Sequence, residues 1–241
     1  MSLRKHIPNA ITSMNLLSGT MGVICTLEGE MAAAFLLMLA AAVFDFCDGL
    51  AARLLRAYSP IGKELDSLSD MVSFGVLPGL MLVKTMQLQG CSSWLSFLPL
   101  FMVVMAALRL AKFNVDERQT TDFLGVATPT TALLSAALCC FVAAEPSSLL
   151  AAWAGTSWFL PALAVVLGLL MVSEIPMFGM KIAKGHKLLD AKRLTFLILA
   201  VAAIVFTFVA GMHWSLSVLL PFGIYLLENL FLWLWQKLAR R

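Results

Sequence analysis

The chain has 241 residues, 61% of them hydrophobic and 13% charged, with a mean hydropathy of +0.91. A soluble domain carries roughly a quarter charged residues, so the composition excludes a water-soluble globular fold and predicts an all-α polytopic membrane protein. The net charge of +3 gives no reason to expect nucleic-acid binding. The scattered Cys25, Cys47, Cys91, Cys139 and Cys140 lack the spacing of a disulfide frame or a zinc site, and are expected as small buried hydrophobes.

A transmembrane helix needs about 20 mostly apolar residues. Eight such runs follow along the chain, at 9–28, 31–55, 61–86, 94–114, 127–145, 157–178, 192–212 and 214–236. Gly29-Glu30, Ser59-Pro60, residues 90–93, residues 145–148 and the basic loop around Gly185-His186 mark turns between them. The chain therefore reads as a single integral membrane domain over 1–241, with a core in 1–180 and two further spans in 181–241. Residues 1–9 are short and basic, and no small-residue cleavage site follows, so a cleaved leader is not expected. Residues 2–9 suit either a short interfacial segment or a plain orientation signal. The six tryptophans lie mostly near span ends, as interfacial anchors do.

Basic residues set the orientation. With eight spans, Arg4, Lys5, Arg53, Arg56, Lys63, Arg109, Lys112, Arg118, Lys181, Lys184, Lys187, Lys192, Arg193, Lys237, Arg240 and Arg241 all fall on one side, and only Lys84 on the other. That side is expected to be cytoplasmic and to hold both termini, in the inner membrane of the cell.

Against this apolar background stand Asp45, Asp48, Asp66 and Asp70. A charge at the bilayer centre costs about 2.5–3.5 kcal/mol on insertion scales. Asp48 precedes Arg53 by five residues and so sits only about 7–8 Å deeper along a helix, which places the group in the cytoplasmic third. Asp45 and Asp48 share one helix face at i, i+3, and Asp66 and Asp70 share one at i, i+4. The two helices are consecutive and antiparallel, so four carboxylates can converge. Hard oxygens in that arrangement suit a divalent cation, Mg2+ or Mn2+. Gly49, Ala52 and Gly62 leave room beside the carboxylates, although small residues also serve close helix packing. Arg53 and Arg56 stand at the mouth, suited to phosphate and equally to anchoring. Cation, arginine and clearance together describe a diphosphate site.

The run Asp45-x-x-Asp48-Gly49-x-x-Ala52-Arg53, eight residues, then Gly62-x-x-x-Asp66-x-x-x-Asp70 resembles the signature of the CDP-alcohol phosphotransferases at every position. Within that family the chain is most similar to the CDP-diacylglycerol–serine O-phosphatidyltransferases. The similarity includes the stretches 7–12 and 15–19, 65–76, 109–114, 125–130 and 171–178. Lys112 stands where arginine is common, and Val126 and Ala127 depart from the group pattern.

The resemblance implies a helical bundle with a polar cavity open to the cytoplasm. It also implies transfer of a phosphatidyl group from CDP-diacylglycerol to the hydroxyl of L-serine, with release of CMP, by a homodimer in contact with membrane lipid. On that basis Asp45, Asp48, Asp66 and Asp70 are candidate ligands of two divalent cations, and Asp70 is the candidate base. Gly49, Ala52, Arg53, Arg56, Ser59 and Gly62 are candidate contacts of CDP-diacylglycerol. Ser59, before Pro60, is first of all a turn residue. Arg109, Lys112, Asn114, Thr128 and Ser173 are candidate contacts of serine. Glycerol 3-phosphate, inositol and choline remain alternative acceptors. A cation-coupled transporter is the alternative from another class, disfavoured because the acids cluster near one face without a repeat partner.

Overall fold

A computed structural model of the chain describes residues 6–91, 93–115, 123–178 and 191–239. The helices are α1 (His6–Glu28), α2 (Met31–Leu54), α3 (Pro60–Asp70), α4 (Leu77–Leu88), α5 (Phe101–Val115), α6 (Thr128–Ala144), α7 (Leu149–Ala154), α8 (Phe159–Val172), α9 (Ala191–Val209) and α10 (Leu216–Ala239). A π-helical turn (Met71–Val76) joins α3 to α4, and a 3-10 turn (Trp94–Leu100) leads into α5. A two-residue antiparallel ladder pairs β1 (Phe123–Leu124) with β2 (Pro176–Met177).

Six helical segments are long and apolar enough to cross a membrane, and α6 and α8 are shorter apolar helices. The run expected at 157–178 is broken at both ends. Ser148 caps the short helix α7 ahead of it, accepting from the Ala151 N–H at 3.2 Å. At the other end Ser173 turns to extended backbone (φ −67°, ψ 161°), and Pro176, which lacks an N–H, begins β2. The span expected at 61–86 is continuous but carries the π turn. There Leu77 N–H donates to Val72 O, five residues back, which accommodates Pro78 inside a long helix.

α6 sits at the centre, in contact with α2, α4, α5, α8 and α10. Every residue from 130 to 142 is buried, which explains why this helix is apolar all round. α1 lies across α2 and the α3–π–α4 helix, α8 packs on α5, and α9 contacts chiefly α10. Gly29, Gly90 and Gly211, all at positive φ, end α1, α4 and α9 with paired i−3 and i−5 backbone bonds. Trp214 departs from the interfacial expectation, stacking on Phe35 with ring centroids 5.2 Å apart. All five cysteines are free; Cys139 and Cys140 are buried and the other three are half-buried.

One end of the bundle gathers the basic residues. Lys63 Nζ donates to Asn114 O at 3.0 Å, Lys112 pairs with Glu174 at 4.0 Å, and Pro176 shares cavities with Lys192 and Lys237. Lys84 lies at the opposite end, where its Nζ donates to Leu27 O at 2.9 Å and caps α1. Arg4, Lys5, Arg118, Lys181, Lys184, Lys187, Arg240 and Arg241 lie outside the described residues, as do Gly185 and His186.

Candidate active site

Asp45 and Asp48 come from the last turns of α2, and Asp66 and Asp70 from α3. Ser59 starts α3: its Oγ accepts from the Gly62 N–H at 3.0 Å, and Pro60 supplies the first helical residue. This cap fixes where Asp66 and Asp70 point. Asp45, Asp48 and Asp66 each offer a carboxylate oxygen, and the three oxygens lie within 4.8 Å of one another. Asp70 lies one turn beyond Asp66, within electrostatic reach of all three.

The donor set fits a divalent cation. Asp48 Oδ2 and Asp66 Oδ1 are buried without a hydrogen-bond partner, and among the described residues no lysine or arginine forms an ion pair with the cluster. Two unit charges 4.8 Å apart repel by about 3 kcal/mol at an effective dielectric of about 20. Three carboxylates held this close therefore need a cation to remain charged together. Oxygen-only ligation is the chemistry of Mg2+ and related hard ions.

The cluster borders a cavity of about 520 Å³ at the basic end of the bundle. Asp48, Asp66, Gly49, Ala52, Ser59 and Gly62 line it. A Cβ on Gly49 would meet only Arg53 Nη2, at 3.9 Å, so this glycine is clearance for the cavity and not a helix-packing contact. A Cβ on Gly62 would stand 2.9 Å from both Asn9 Oδ1 and Ser59 Oγ; the glycine leaves room for those two polar groups at the cavity wall. Arg53 and Arg56 are exposed and do not line the cavity. Arg56 holds a positive φ of 51° at the end of α2, the left-handed position that glycine normally takes.

The candidate acceptor residues divide. Arg109 is buried, its Nη1 donates to Thr128 Oγ1 at 3.4 Å, and it lies within electrostatic reach of Asp70. Lys112 and Ser173 border a cavity next to Arg109 of only about 10 Å³, room for about one water. Lys112 is paired with Glu174, and Ser173 Oγ donates to Leu170 O at 2.8 Å. Asn114 lines neither cavity; its Nδ2 donates to Ser67 Oγ at 2.8 Å and ties α5 to α3.

α1 supplies what the spacing of the aspartates did not reveal. Pro8, Asn9 and Thr12 line the large cavity. Asn15, fully buried, donates from Nδ2 to Asp70 Oδ1 at 3.2 Å. Ser69 Oγ donates to Thr12 O and Ser73 Oγ to Asn15 O, at 3.2 and 3.1 Å. A Cβ on Gly19 would stand 2.9 Å from Ser73 Cα, so this glycine permits the approach. The sequence marked this helix by its resemblance over 7–12 and 15–19 and by polar residues at helical spacing, Thr12, Asn15 and Ser18-Gly19, but assigned none of them to the site.

The model of the CDP-alcohol phosphatidyltransferase family matches residues 5–170, and the chain belongs to that family. Similar proteins include a CDP-diacylglycerol–serine O-phosphatidyltransferase of Mycobacterium tuberculosis, 33% identical over 178 residues, which are 71% of this chain and 60% of that protein. An enzyme of the same designation from Bacillus subtilis is 35% identical over 128 residues, 52% of this chain and 70% of the relative. One from Helicobacter pylori is 31% identical over 230 residues, 94% of this chain and 90% of the relative. The match thus spans about 60% of the length of the mycobacterial relatives. The four aspartates lie within the family-matched region, whereas α9 and α10 lie beyond it.

Proposed function

We propose that this protein transfers the phosphatidyl group of CDP-diacylglycerol to the hydroxyl of L-serine, giving phosphatidylserine and CMP. The observation that carries the reading is the Asp45–Asp48–Asp66 cluster opening on a 520 Å³ cavity, with Asp70 tethered alongside. That volume falls in the range of about 300–1,000 Å³ usual for small-ligand sites. The designations of the relatives favour serine as acceptor.

Asp45, Asp48, Asp66 and Asp70 hold two divalent cations, Mg2+ or Mn2+, which when bound offset charge on the diphosphate and on the leaving oxygen. Gly49, Ala52, Ser59 and Gly62 seat the nucleotide end of the substrate, Arg53 and Arg56 meet its phosphates from the rim, and the acyl chains stay in the bilayer. The serine hydroxyl forms a bond to the phosphorus that carries diacylglycerol, and the bond from that phosphorus to the CMP oxygen breaks. Asp70 takes the hydroxyl proton as general base, its carboxylate aimed by the Asn15 Nδ2 donor on Oδ1. Arg109 binds the acceptor carboxylate as a charge-assisted donor, with Thr128 behind it and Lys112, Asn114 and Ser173 at the periphery. The chain is one membrane domain, works as a homodimer, and lies in the inner membrane with its termini and site cytoplasmic.

The test is CMP release from CDP-diacylglycerol by detergent-purified protein, with Mg2+ or Mn2+, with and without L-serine. Serine-dependent release that is lost with chelator and in Asp70→Asn supports the reading. Release only with glycerol 3-phosphate, inositol or choline keeps the site and overturns the acceptor. Ion flux in liposomes without CMP release from CDP-diacylglycerol in the presence of any acceptor overturns the enzyme in favour of a transporter.

A further inference from the structure

The family match stops at residue 170, yet α10, far beyond it, reaches back toward the acceptor side of the site. Phe178 N–H donates to Asn229 Oδ1 at 2.9 Å, and Tyr225 Oη donates to Phe178 O at 3.0 Å. Asn229 Nδ2 closes the loop by donating to Tyr225 O at 2.8 Å. Both polar groups of the Phe178 backbone are thus held by side chains one helical turn apart on α10. The rings of Phe178, Phe196 and Tyr225 meet edge to face, with centroids 5.2–6.1 Å apart. Asn229 is almost fully buried, and a polar side chain in that position is retained only where its hydrogen bonds are made.

Phe178 follows β2 directly, and β2 pairs with β1. Gly125 N–H donates to Ile175 O at 2.9 Å and Val126 N–H to Leu170 O at 3.1 Å. Two residues further on, Thr128 opens α6 and accepts from Arg109. The phenol of Tyr225 also lies within electrostatic reach of the Arg109 guanidinium itself. A path of hydrogen bonds and connecting backbone therefore runs from α10 through Phe178 and the ladder to Thr128 and Arg109, which lies within electrostatic reach of Asp70.

We infer that α10 is a clamp for the acceptor end of the site, in which Tyr225 and Asn229 are positioning residues that fix Phe178 and, through the ladder, the Arg109 guanidinium beside Asp70. The inference rests on the proposed role of Arg109 as the acceptor contact. It makes α10 a determinant of which alcohol is used, and leaves handling of the CDP-linked donor to the family-matched part of the chain.

The test uses full-length Tyr225→Phe and Asn229→Leu in detergent, with CMP release measured against each substrate in turn. Loss of one neutral hydrogen bond in Tyr225→Phe is expected to raise the KM for serine about five- to tenfold. The KM for CDP-diacylglycerol stays at the wild-type value in that variant. Hydrogen exchange across residues 123–128 rises in both variants, a readout that needs no turnover. An unchanged KM for serine in both variants overturns the clamp. So does a parallel rise of both KM values with a lower midpoint in Tyr225→Phe, which would assign the loop of bonds to stability alone. If the wild type uses another alcohol and not serine, the serine reading fails separately, and the same comparison made with that alcohol decides the clamp.

Discussion

Asn15→Leu separates a catalytic arrangement from mere helix packing. The substitution keeps the size of the side chain and suits the membrane. It removes the Nδ2 donor that meets Asp70 Oδ1 at 3.2 Å, and it also removes Asn15 Oδ1, which is buried with no partner. The two losses act in opposite directions. A hydrogen bond to a charged group is worth about 1.5–3 kcal/mol, so a barrier that depends on the aim of Asp70 rises enough to slow turnover by about 10- to 150-fold. Deleting an orphaned acceptor removes a penalty of about 1–3 kcal/mol, which offsets the lost bond to Asp70, so the stability of the fold changes little. The assay is the initial rate of CMP release at saturating CDP-diacylglycerol and acceptor, with the KM of each substrate and the thermal midpoint in the same detergent. The expected pattern is a low kcat, an unchanged KM for CDP-diacylglycerol and a midpoint near the wild-type value. A kcat within threefold of wild type would refute the role of Asn15. A kcat that falls only in step with the midpoint would reduce it to packing.

Three further substitutions probe other parts of the site. Gly49→Leu meets open space on the cavity side and gains about 0.8–1 kcal/mol of helix propensity; the midpoint holds or rises while CMP release is lost, and retained release would show that the nucleotide lies elsewhere. Arg56→Gly relieves the positive φ of 51°, worth about 1–2 kcal/mol and so about 2–8 °C of midpoint in a chain of this size. The KM for CDP-diacylglycerol rises severalfold in the same variant, and an unchanged KM would remove Arg56 from the site. Gly125→Ala drives a Cβ against the carbonyl oxygens of Met171 and Ser173 at a φ of +72°. Left-handed strain and overpacking together cost on the order of 2–5 kcal/mol, read as a lower midpoint, and a stable variant would show that the ladder is not rigid.

The aspartates were legible because helical spacing is a property of a single element. Asp45 with Asp48, and Asp66 with Asp70, share faces whatever surrounds them, and the Ser59-Pro60 turn lets the carboxylates converge although the two helices barely touch and α1 packs on both. Six of the eight expected spans were legible for the same reason, since length and apolarity are local, and the other two are shorter apolar helices. Contacts set by the relative register of distant helices were not. Nothing in the spacing of Thr12, Asn15 and Gly19 says that α1 lies along Ser69, Asp70 and Ser73 rather than facing lipid. Asn114 shows the same limit from the other side. Its place beside Arg109 and Lys112 in the sequence suggested a shared site, but one residue moves a side chain about 100° around a helix, and Asn114 faces Ser67 instead. The break after Val172 was marked by Pro176, yet the ladder with residues 123–124 depends on a partner some fifty positions away.

The two regions that the sequence left unread share one physical logic. Around the Asp45–Asp48–Asp66 cluster the protein holds buried carboxylate oxygens without donors, an arrangement that destabilises the fold until a cation neutralises it. Such a cluster keeps its geometry only if its neighbours are fixed independently of it. On the α1 side that rigidity comes from three side-chain hydrogen bonds across a seam closed by Gly19. On the acceptor side it comes from the bonds of Tyr225 and Asn229 to Phe178 and from the ladder that follows. The first support ends on a carboxylate of the motif and the second does not, and each acts on a different partner of the reaction: Asn15 on Asp70, and α10 on Arg109. Substitutions in the first should therefore change kcat, and substitutions in the second the acceptor KM. A double variant, Asn15→Leu with Tyr225→Phe, should combine the two effects without interaction, as sites without shared contacts do.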